Sequence, residues 1–407
     1  MAVAPDTSTM WTRAFATRAG SDEEGGLAAI LALAGATDII SFAGGFPDPE
    51  TFPGRALSDI FGRLIDSGDP SVLQYAPVKG LPGPRDFISQ RLERLEGVRP
   101  ADDELIITSG TIEAIELLSK SLIDPGDLVL VEGPTYLGAI MAFESYEANV
   151  VAVEVDEDGV DVEQLAEVVA RLGPPKLFYS IPDYQNPAGI TLTEERRKAL
   201  VEVARKHGFL IVEDVAYREL GFSGARLPSL WTLAPDVVVQ AGTFSKTFVP
   251  GVRLGWGAGP KEIVAKMIWA KQNTDQCSGA LGQRLLEEYG RSGGLDEQAT
   301  AARALYGRRC GLLMDALQAH MPEGVEWTRP GGGFFSWLTL PESNDGTDLA
   351  RKAVTDGVAI VPGAPFFPGD GGERNIRLSF SRVADAAIDE GIERLSSLIT
   401  LGKKGHR

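Results

Sequence analysis

Lys246 stands in the stretch Thr243-Phe244-Ser245-Lys246-Thr247-Phe248-Val249-Pro250-Gly251-Val252-Arg253, directly behind an apolar run at 237–240 that reads as a buried strand. A lysine is costly beside such a strand unless something uses its amine. Desolvated and near other cations, the amine loses basicity and can form a Schiff base with an aldehyde. Thr243, Ser245 and Arg253 supply two hydroxyl donors and a planar cation, the groups a nearby phosphate needs. A lysine beside a phosphate clamp points to pyridoxal 5′-phosphate (PLP). On this stretch alone, a surface lysine with Arg253 in a structural ion pair fits equally well.

Further polar clusters follow other apolar runs. Ser109-Gly110-Thr111-Ile112 comes after the run 105–108 and opens a helical stretch. The amides of such a turn point at an anion and the helix dipole favours it, although Ser109 or Thr111 could be a plain N-cap. Tyr136, after Glu132-Gly133-Pro134-Thr135, is an aromatic that could stack on a flat ring. Asn186, in the turn-rich stretch 182–189, is either a ligand or a turn residue. Asp214, in Glu213-Asp214-Val215-Ala216-Tyr217, is a carboxylate ending an apolar strand, which wants a cationic partner. A protonated pyridinium nitrogen is such a partner. Gly44-Gly45 before Phe46-Pro47 is a turn that brings backbone close to something, or a plain loop. Tyr75, in the extended stretch 73–77, is either a contact residue or a structural tyrosine. No Gly-x-Gly-x-x-Gly opens a helix, and the glycines at 331–333 precede a strand, so a dinucleotide site is not supported.

The elements that must position these residues alternate. Apolar runs at 105–108, 128–131, 150–155, 177–180, 209–212, 237–240 and 254–258 predict strands, most of them buried on both faces. Helical periodicity at 112–121, 162–172 and 194–207 falls between several of them, and another such stretch, 55–67, precedes them. The expectation is an α/β fold with a largely parallel, seven-stranded sheet, whose ligand lies at the carboxyl ends of the strands. Past about residue 285 the character changes to charged helices, short strands at 334–339, 359–361 and 376–380, and a last helix at 385–398, a smaller α+β unit. The predicted division is 1–50, an arm and helix packing with the small domain; 51–290, a large domain; and 291–407, the small domain.

The chain has 407 residues, 43% of them hydrophobic, and a formal net charge of -18. That charge argues against a nucleic-acid surface. Cys277 and Cys310 have no metal or disulfide spacing, which suits a reduced cytoplasmic protein. The N-terminus shows no secretory pattern, and the apolar run 27–36 is too short to span a bilayer.

Taken together, these stretches resemble the fold-type I PLP enzymes of aminotransferase class I and II over nearly the full length. Within them the chain is similar to the bacterial 2-aminoadipate and aromatic aminotransferases. The matching stretches are Ser41-Phe42-Ala43-Gly44-Gly45, Leu73-Gln74-Tyr75, Gln185-Asn186-Pro187, Ala216-Tyr217-Arg218-Glu219-Leu220, Phe244-Ser245-Lys246, residues 362–367 and Ile376-Arg377-Leu378-Ser379. The resemblance implies that Lys246 binds PLP covalently and later moves the proton. It implies that Asp214 pairs with the pyridine nitrogen, that Asn186 and Tyr217 bond the phenolic oxygen, and that Tyr136 stacks on the ring. Ser109, Gly110, Thr111, Ile112, Thr243, Ser245 and Arg253 would surround the phosphate. Tyr75 would reach the phosphate of the other subunit, which implies a homodimer. Arg377 would take the substrate α-carboxylate, with Gly45 beside the substrate, and no metal is implied.

The chain departs from that pattern in places. Relatives often carry Ser-Gln-Gln where this chain has Thr111-Ile112-Glu113, and a second aspartate where it has Val215. The position from which aminoadipate enzymes read a distal carboxylate with arginine holds Ala28, flanked by Leu27 and Ala29, with Arg13 and Arg18 upstream. The predicted side-chain pocket is formed by Phe15, Leu27, Ala28, Phe46 and the region of Cys277, and its donor is a neutral, bulky or apolar amino acid. The favoured activity is amino transfer between an L-amino acid and a 2-oxo acid by a ping-pong route. The alternative is a PLP lyase or decarboxylase on the same core, since the shared motifs settle the cofactor better than the reaction. A third reading, a transcription regulator, is disfavoured by the charge and by the lack of room for a winged-helix domain before residue 41.

Overall fold

The structure, a computed structural model, describes residues 14–16, 18 and 39–404. Its strands begin with β1 (Ile40–Ser41), β2 (Leu105–Thr108), β3 (Leu128–Gly133), β4 (Asn149–Asp156), β5 (Gly159–Val160), β6 (Leu177–Ser180), β7 (Leu210–Asp214), β8 (Val238–Thr243) and β9 (Gly255–Ala258). The C-terminal part adds β10 (Glu326–Trp327), β11 (Phe335–Thr339), β12 (Val358–Ala359), β13 (Val361–Pro362) and β14 (Asn375–Ser379).

Strands β2 to β9 form one sheet in the order β2-β9-β8-β7-β6-β3-β4-β5. It has eight strands rather than seven. The addition is β5, a two-residue edge strand that folds back antiparallel onto β4 and is too short to carry a periodic signal. Neighbours from β8 to β4 run parallel, while β9 runs antiparallel to both β2 and β8. Side chains alternate between two cores, as the pleat requires. On β2, Leu105 and Ile107 enter one core and Ile106 the other; on β6, Phe178 faces away from Leu177 and Tyr179.

Local chemistry ends the helices where the pattern says. Asp161 caps the helix Val162–Leu172 by accepting the Gln164 N–H, and Thr193 caps Glu194–His207 in the same way. Gly208, at φ 72°, stops the latter with the left-handed residue that glycine tolerates. The stretch expected as one strand at 359–361 is two. β12 pairs parallel with β1, and β13 pairs antiparallel with β14 in the sheet β10-β11-β14-β13. Residues 40–41 are thereby tied to the C-terminal part, and Phe42 continues the link by donating its N–H to Ala359 O at 2.8 Å. Among the described residues no helix is long and apolar enough to cross a membrane.

Candidate active site

The carboxyl edge of the sheet opens onto a cavity of about 310 Å³. Parallel strands deliver Tyr136 after β3, Asn186 after β6, Asp214 and Tyr217 at and after β7, and Ser245 and Lys246 after β8. Arg253 lies two residues before the antiparallel β9. Because that strand is reversed, its beginning lies at the same edge as the others' ends, with Gly255 level with both Thr108 and Thr243. Gly255 has to be a glycine: a Cβ there would lie 2.8 Å from the Gly110 Cα.

One end of the cavity is built for an anion. Gly110 N-caps the helix Thr111–Leu122 at φ 89°, and Thr111 and Ile112 line the cavity. The Thr111 hydroxyl is buried without a hydrogen-bond partner among the described residues. Thr243 Oγ1 donates to Ser245 Oγ at 2.9 Å, and Arg253 Nη1 approaches the same Ser245 oxygen at 3.3 Å. Among the described residues Arg253 has no carboxylate in ion-pair range; its Nη2 donates to Ser109 O at 3.1 Å. An orphaned hydroxyl, a helix N-terminus and an unpaired guanidinium fit a phosphate. Ser109 itself does not line the cavity. Its N–H is taken by Glu113 Oε2 at 2.5 Å, which fastens the turn from behind.

The middle of the cavity holds a carboxylate. The pleat puts Asp214 on the face of Val212 and Tyr179, while Glu213 points to the other face and accepts the Leu230 and Trp231 amides. Asp214 Oδ2 accepts the Tyr179 hydroxyl at 2.8 Å and Oδ1 accepts the Ala216 N–H at 3.0 Å. Burial lifts its carboxyl to about 6, against those two bonds and the nearby Lys246. Such a group welcomes a protonated ring nitrogen, which would restore its charge. Burial likewise raises the Tyr136 and Tyr217 hydroxyls, which therefore remain protonated donors near neutral pH.

Lys246 and Arg377 face this carboxylate. Lys246 is half-buried in the cavity wall, and its Nζ donates to Gly45 O at 2.8 Å. Burial brings its amine down to about 8; Asp214 opposes that, and Arg377 and Arg253 add to it. Arg377, on β14, lies between the rings of Phe335 and Phe366, 4.2 and 4.9 Å from their centroids. Its Nη1 donates to Asn186 Oδ1 and its Nη2 to Ala43 O, both at 2.8 Å, while Nε is buried without a partner among the described residues. Burial lowers this guanidinium to about 10. Among the described residues it too lacks a carboxylate, so the cavity holds a second anion position beside the lysine.

Of the residues anticipated from sequence, Gly45, Thr111, Ile112, Tyr136, Asn186, Asp214, Tyr217, Thr243, Ser245, Lys246, Arg253 and Arg377 line this one cavity. Tyr75 does not; it is 82% exposed on the surface. Phe46 lines the cavity, but Phe15 is 68% exposed, and Cys277 packs against Ala76, Leu81 and Ala280 away from the cavity of its own chain. Leu27, Ala28, Ala29 and Arg13 lie outside the described residues. Sequence reasoning missed Tyr179, Phe335 and Phe366. The paired aromatics after the glycines at 331–333 were a usable signal for Phe335, and Phe366 lies in the matching stretch 362–367; nothing local marks Tyr179.

A lysine of lowered basicity, a buried carboxylate and an anion cradle gathered at one sheet edge are the features of a fold-type I PLP enzyme. The aminotransferase class I and II family matches residues 47–395. The chain is 37% identical to aromatic-amino-acid aminotransferase 1 of Thermococcus litoralis, over 91% of its own length and 90% of that protein. It is also 37% identical to the 2-aminoadipate transaminase of Thermus thermophilus, covering 95% and 96% of the two chains. Among solved structures it is similar to the α-aminoadipate aminotransferase of Thermus thermophilus complexed with N-(5′-phosphopyridoxyl)-L-leucine, with a TM-score of 0.90, 36% identity and 97% and 99% of the two chains covered. The chain belongs to the aminotransferase class I and II family and is a PLP-dependent aminotransferase.

Proposed function

We propose that this aminotransferase moves an amino group from a neutral, apolar or aromatic L-amino acid to a 2-oxo acid in two half-reactions. The observation that carries the reading is the unpaired Arg377 guanidinium beside Lys246, clamped between two phenyl rings. A planar cation held in that way takes an α-carboxylate by two hydrogen bonds. The other cations lining the cavity among the described residues are Lys246 and Arg253, and both have work to do. The remaining wall near Gly45 includes Phe46, Pro47, Ile112 and Phe335, which would leave a second carboxylate unpaired.

Bound PLP supplies an aldehyde and an electron-accepting ring. The residues divide the rest of the work. Thr111, Thr243, Ser245 and Arg253 would hold the phosphate with the Gly110 turn. Asp214, steadied by Tyr179, would keep the ring nitrogen protonated. Tyr136 would lie against the ring, and Asn186 and Tyr217 would serve as donors to its phenolic oxygen. Lys246 would bind the cofactor and hold the proton taken from the substrate Cα as general base. Its lowered basicity suits that role near neutral pH.

A homodimer completes the reading. Leu73 and Tyr75 are 72% and 82% exposed, large apolar groups in the segment expected to reach the partner's phosphate. The division near residues 50 and 290 belongs to the same proposal, as does a cytoplasmic location, supported by two cysteines that are free.

Two experiments test this. Borohydride reduction followed by peptide mapping should place the cofactor on Lys246, and Lys246→Ala should lose both label and turnover; a label on another lysine sinks the assignment. Comparing kcat/KM for leucine, phenylalanine, methionine and 2-aminoadipate should favour the neutral donors. A clear preference for 2-aminoadipate would show that a cation outside this wall reads the acid.

A further inference from the structure

Behind the Gly110 turn lies a buried lysine that none of these steps uses. Lys271, in the helix Lys261–Gln272, is 0% exposed. Its Nζ donates to Glu113 Oε1 and Oε2 at 2.6 and 2.8 Å, and to Asp275 Oδ1 and Oδ2 at 2.9 and 2.8 Å. Glu113 sits in the first turn of the helix Thr111–Leu122, the helix whose N-terminus faces the cavity. Its Oε2 also accepts the Ser109 N–H.

Glu113 thus does two opposed things. It fastens the amide just ahead of Gly110, which fixes the turn. It also puts a negative charge at the helix end whose dipole would hold an anion. A phosphate carries close to two negative charges, so an uncompensated carboxylate there repels it through a low-dielectric path. Asp275 is partly exposed, and water screens it; Glu113 is largely enclosed.

We propose that Lys271 is a positioning residue for the cofactor phosphate. Its ammonium cancels the Glu113 charge, so that this carboxylate can hold the Ser109 amide without expelling the anion in front of it. The inference rests on the reading that the phosphate occupies the Gly110–Thr111 turn. The unpartnered Thr111 hydroxyl and the Arg253 guanidinium without a carboxylate stand at that same turn.

The test uses full-length apoenzyme and three probes: inorganic phosphate, PLP and pyridoxal, which lacks the phosphate. In Lys271→Met the Kd for phosphate and for PLP should rise at least about tenfold, while that for pyridoxal changes by less than about twofold. Glu113→Gln combined with Lys271→Met should bring phosphate binding back to within about threefold of wild type, because the amide acceptor stays and the charge is gone. Wild-type phosphate affinity in Lys271→Met, or no recovery in the double variant, overturns the inference. Should Lys271→Met not fold, Glu113→Gln alone decides: its phosphate Kd must fall, and an unchanged or higher value overturns the inference. Arg253→Ala separates the two levels. If it binds phosphate as wild type does, the phosphate is not at this turn and the underlying reading fails; if it weakens while Lys271→Met does not, only the role of Lys271 fails.

Discussion

Two groups of buried charges lie within a few residues of each other and are treated in opposite ways. Asp183, three residues before Asn186, sits between Arg197 and Arg218, at 2.7 and 2.8 Å. Arg218, next to Tyr217, also pairs with Glu96, and Arg197 donates to the carbonyls of Leu192, Pro228 and Pro182. Burial pushes Asp183 upward, but the two arginines outweigh it and hold the carboxyl below its usual range. In the cavity Lys246, Asp214 and Arg377 are all moved toward neutrality by burial. The satisfied cluster fixes the loops that carry Asn186 and Tyr217. The unsatisfied one keeps its free energy for a ligand, the pattern of a functional site.

Substitutions at the two aspartates should break this contrast in opposite directions. The largest effect is on rate. Asp214→Asn should bind PLP yet turn over at least about a thousandfold more slowly, because the ring nitrogen loses its charge partner. Near-normal kcat would remove Asp214 from its role. Next, Asp183→Asn should destabilise the protein by about 3–5 kcal/mol, since it leaves the buried Arg197 without a carboxylate and Arg218 with Glu96 alone. Chemical unfolding measures that, and a loss below about 1 kcal/mol would mean that the pairs contribute little.

In the cofactor-free protein, Asp214→Asn should instead be stabilising. A carboxyl whose folded value lies near 6 holds its proton more tightly folded than unfolded. Its contribution is therefore full below pH 4 and is lost as pH rises through 6. Asparagine escapes that loss, so the variant should gain up to about 3 kcal/mol over wild type, growing between pH 4 and 6 and level above. A difference that does not vary with pH would contradict the burial argument. The smallest effect sharpens the lysine side. The rate at which apoenzyme captures PLP should climb with pH and flatten near 8, where the Lys246 amine becomes neutral. A rate still climbing beyond pH 10 would describe an ordinary lysine.

How much of this was legible in the sequence depended on whether a residue's meaning was local. Each long strand of the main sheet lies on an apolar run, and the residues after those runs converge because parallel strands share an edge. Arg253 was readable as a phosphate ligand, but its route to that edge depends on the reversed β9, which no spacing reveals. Tyr179 is one aromatic inside an apolar run; only the register with β7 aims its hydroxyl at Asp214. The Arg377 clamp needs β11 paired with β14 and a separate turn at Phe366. Glu113 stood out only as a departure from the relatives' pattern, and its partner Lys271 lies 158 residues away in the chain, where no spacing links the two. The acceptor of the Ser109 N–H, Glu113, lies four residues on, inside the helix, where no turn signal points to it.

Gly45 gives the cavity a mechanical property. A Cβ at that position would come within 2.9 Å of the Phe335 Cζ. The Phe335 ring has little freedom to yield, since its face carries the Arg377 guanidinium and its neighbours Phe334 and Tyr217 pack against it edge to face. Residue 45 therefore acts as a stop behind a lever: the ring is the arm and the guanidinium is the load. A larger side chain there would tilt the carboxylate clamp before it narrowed the pocket. In a directed-evolution library, substitutions at this position would thus displace the Arg377 guanidinium through the Phe335 ring.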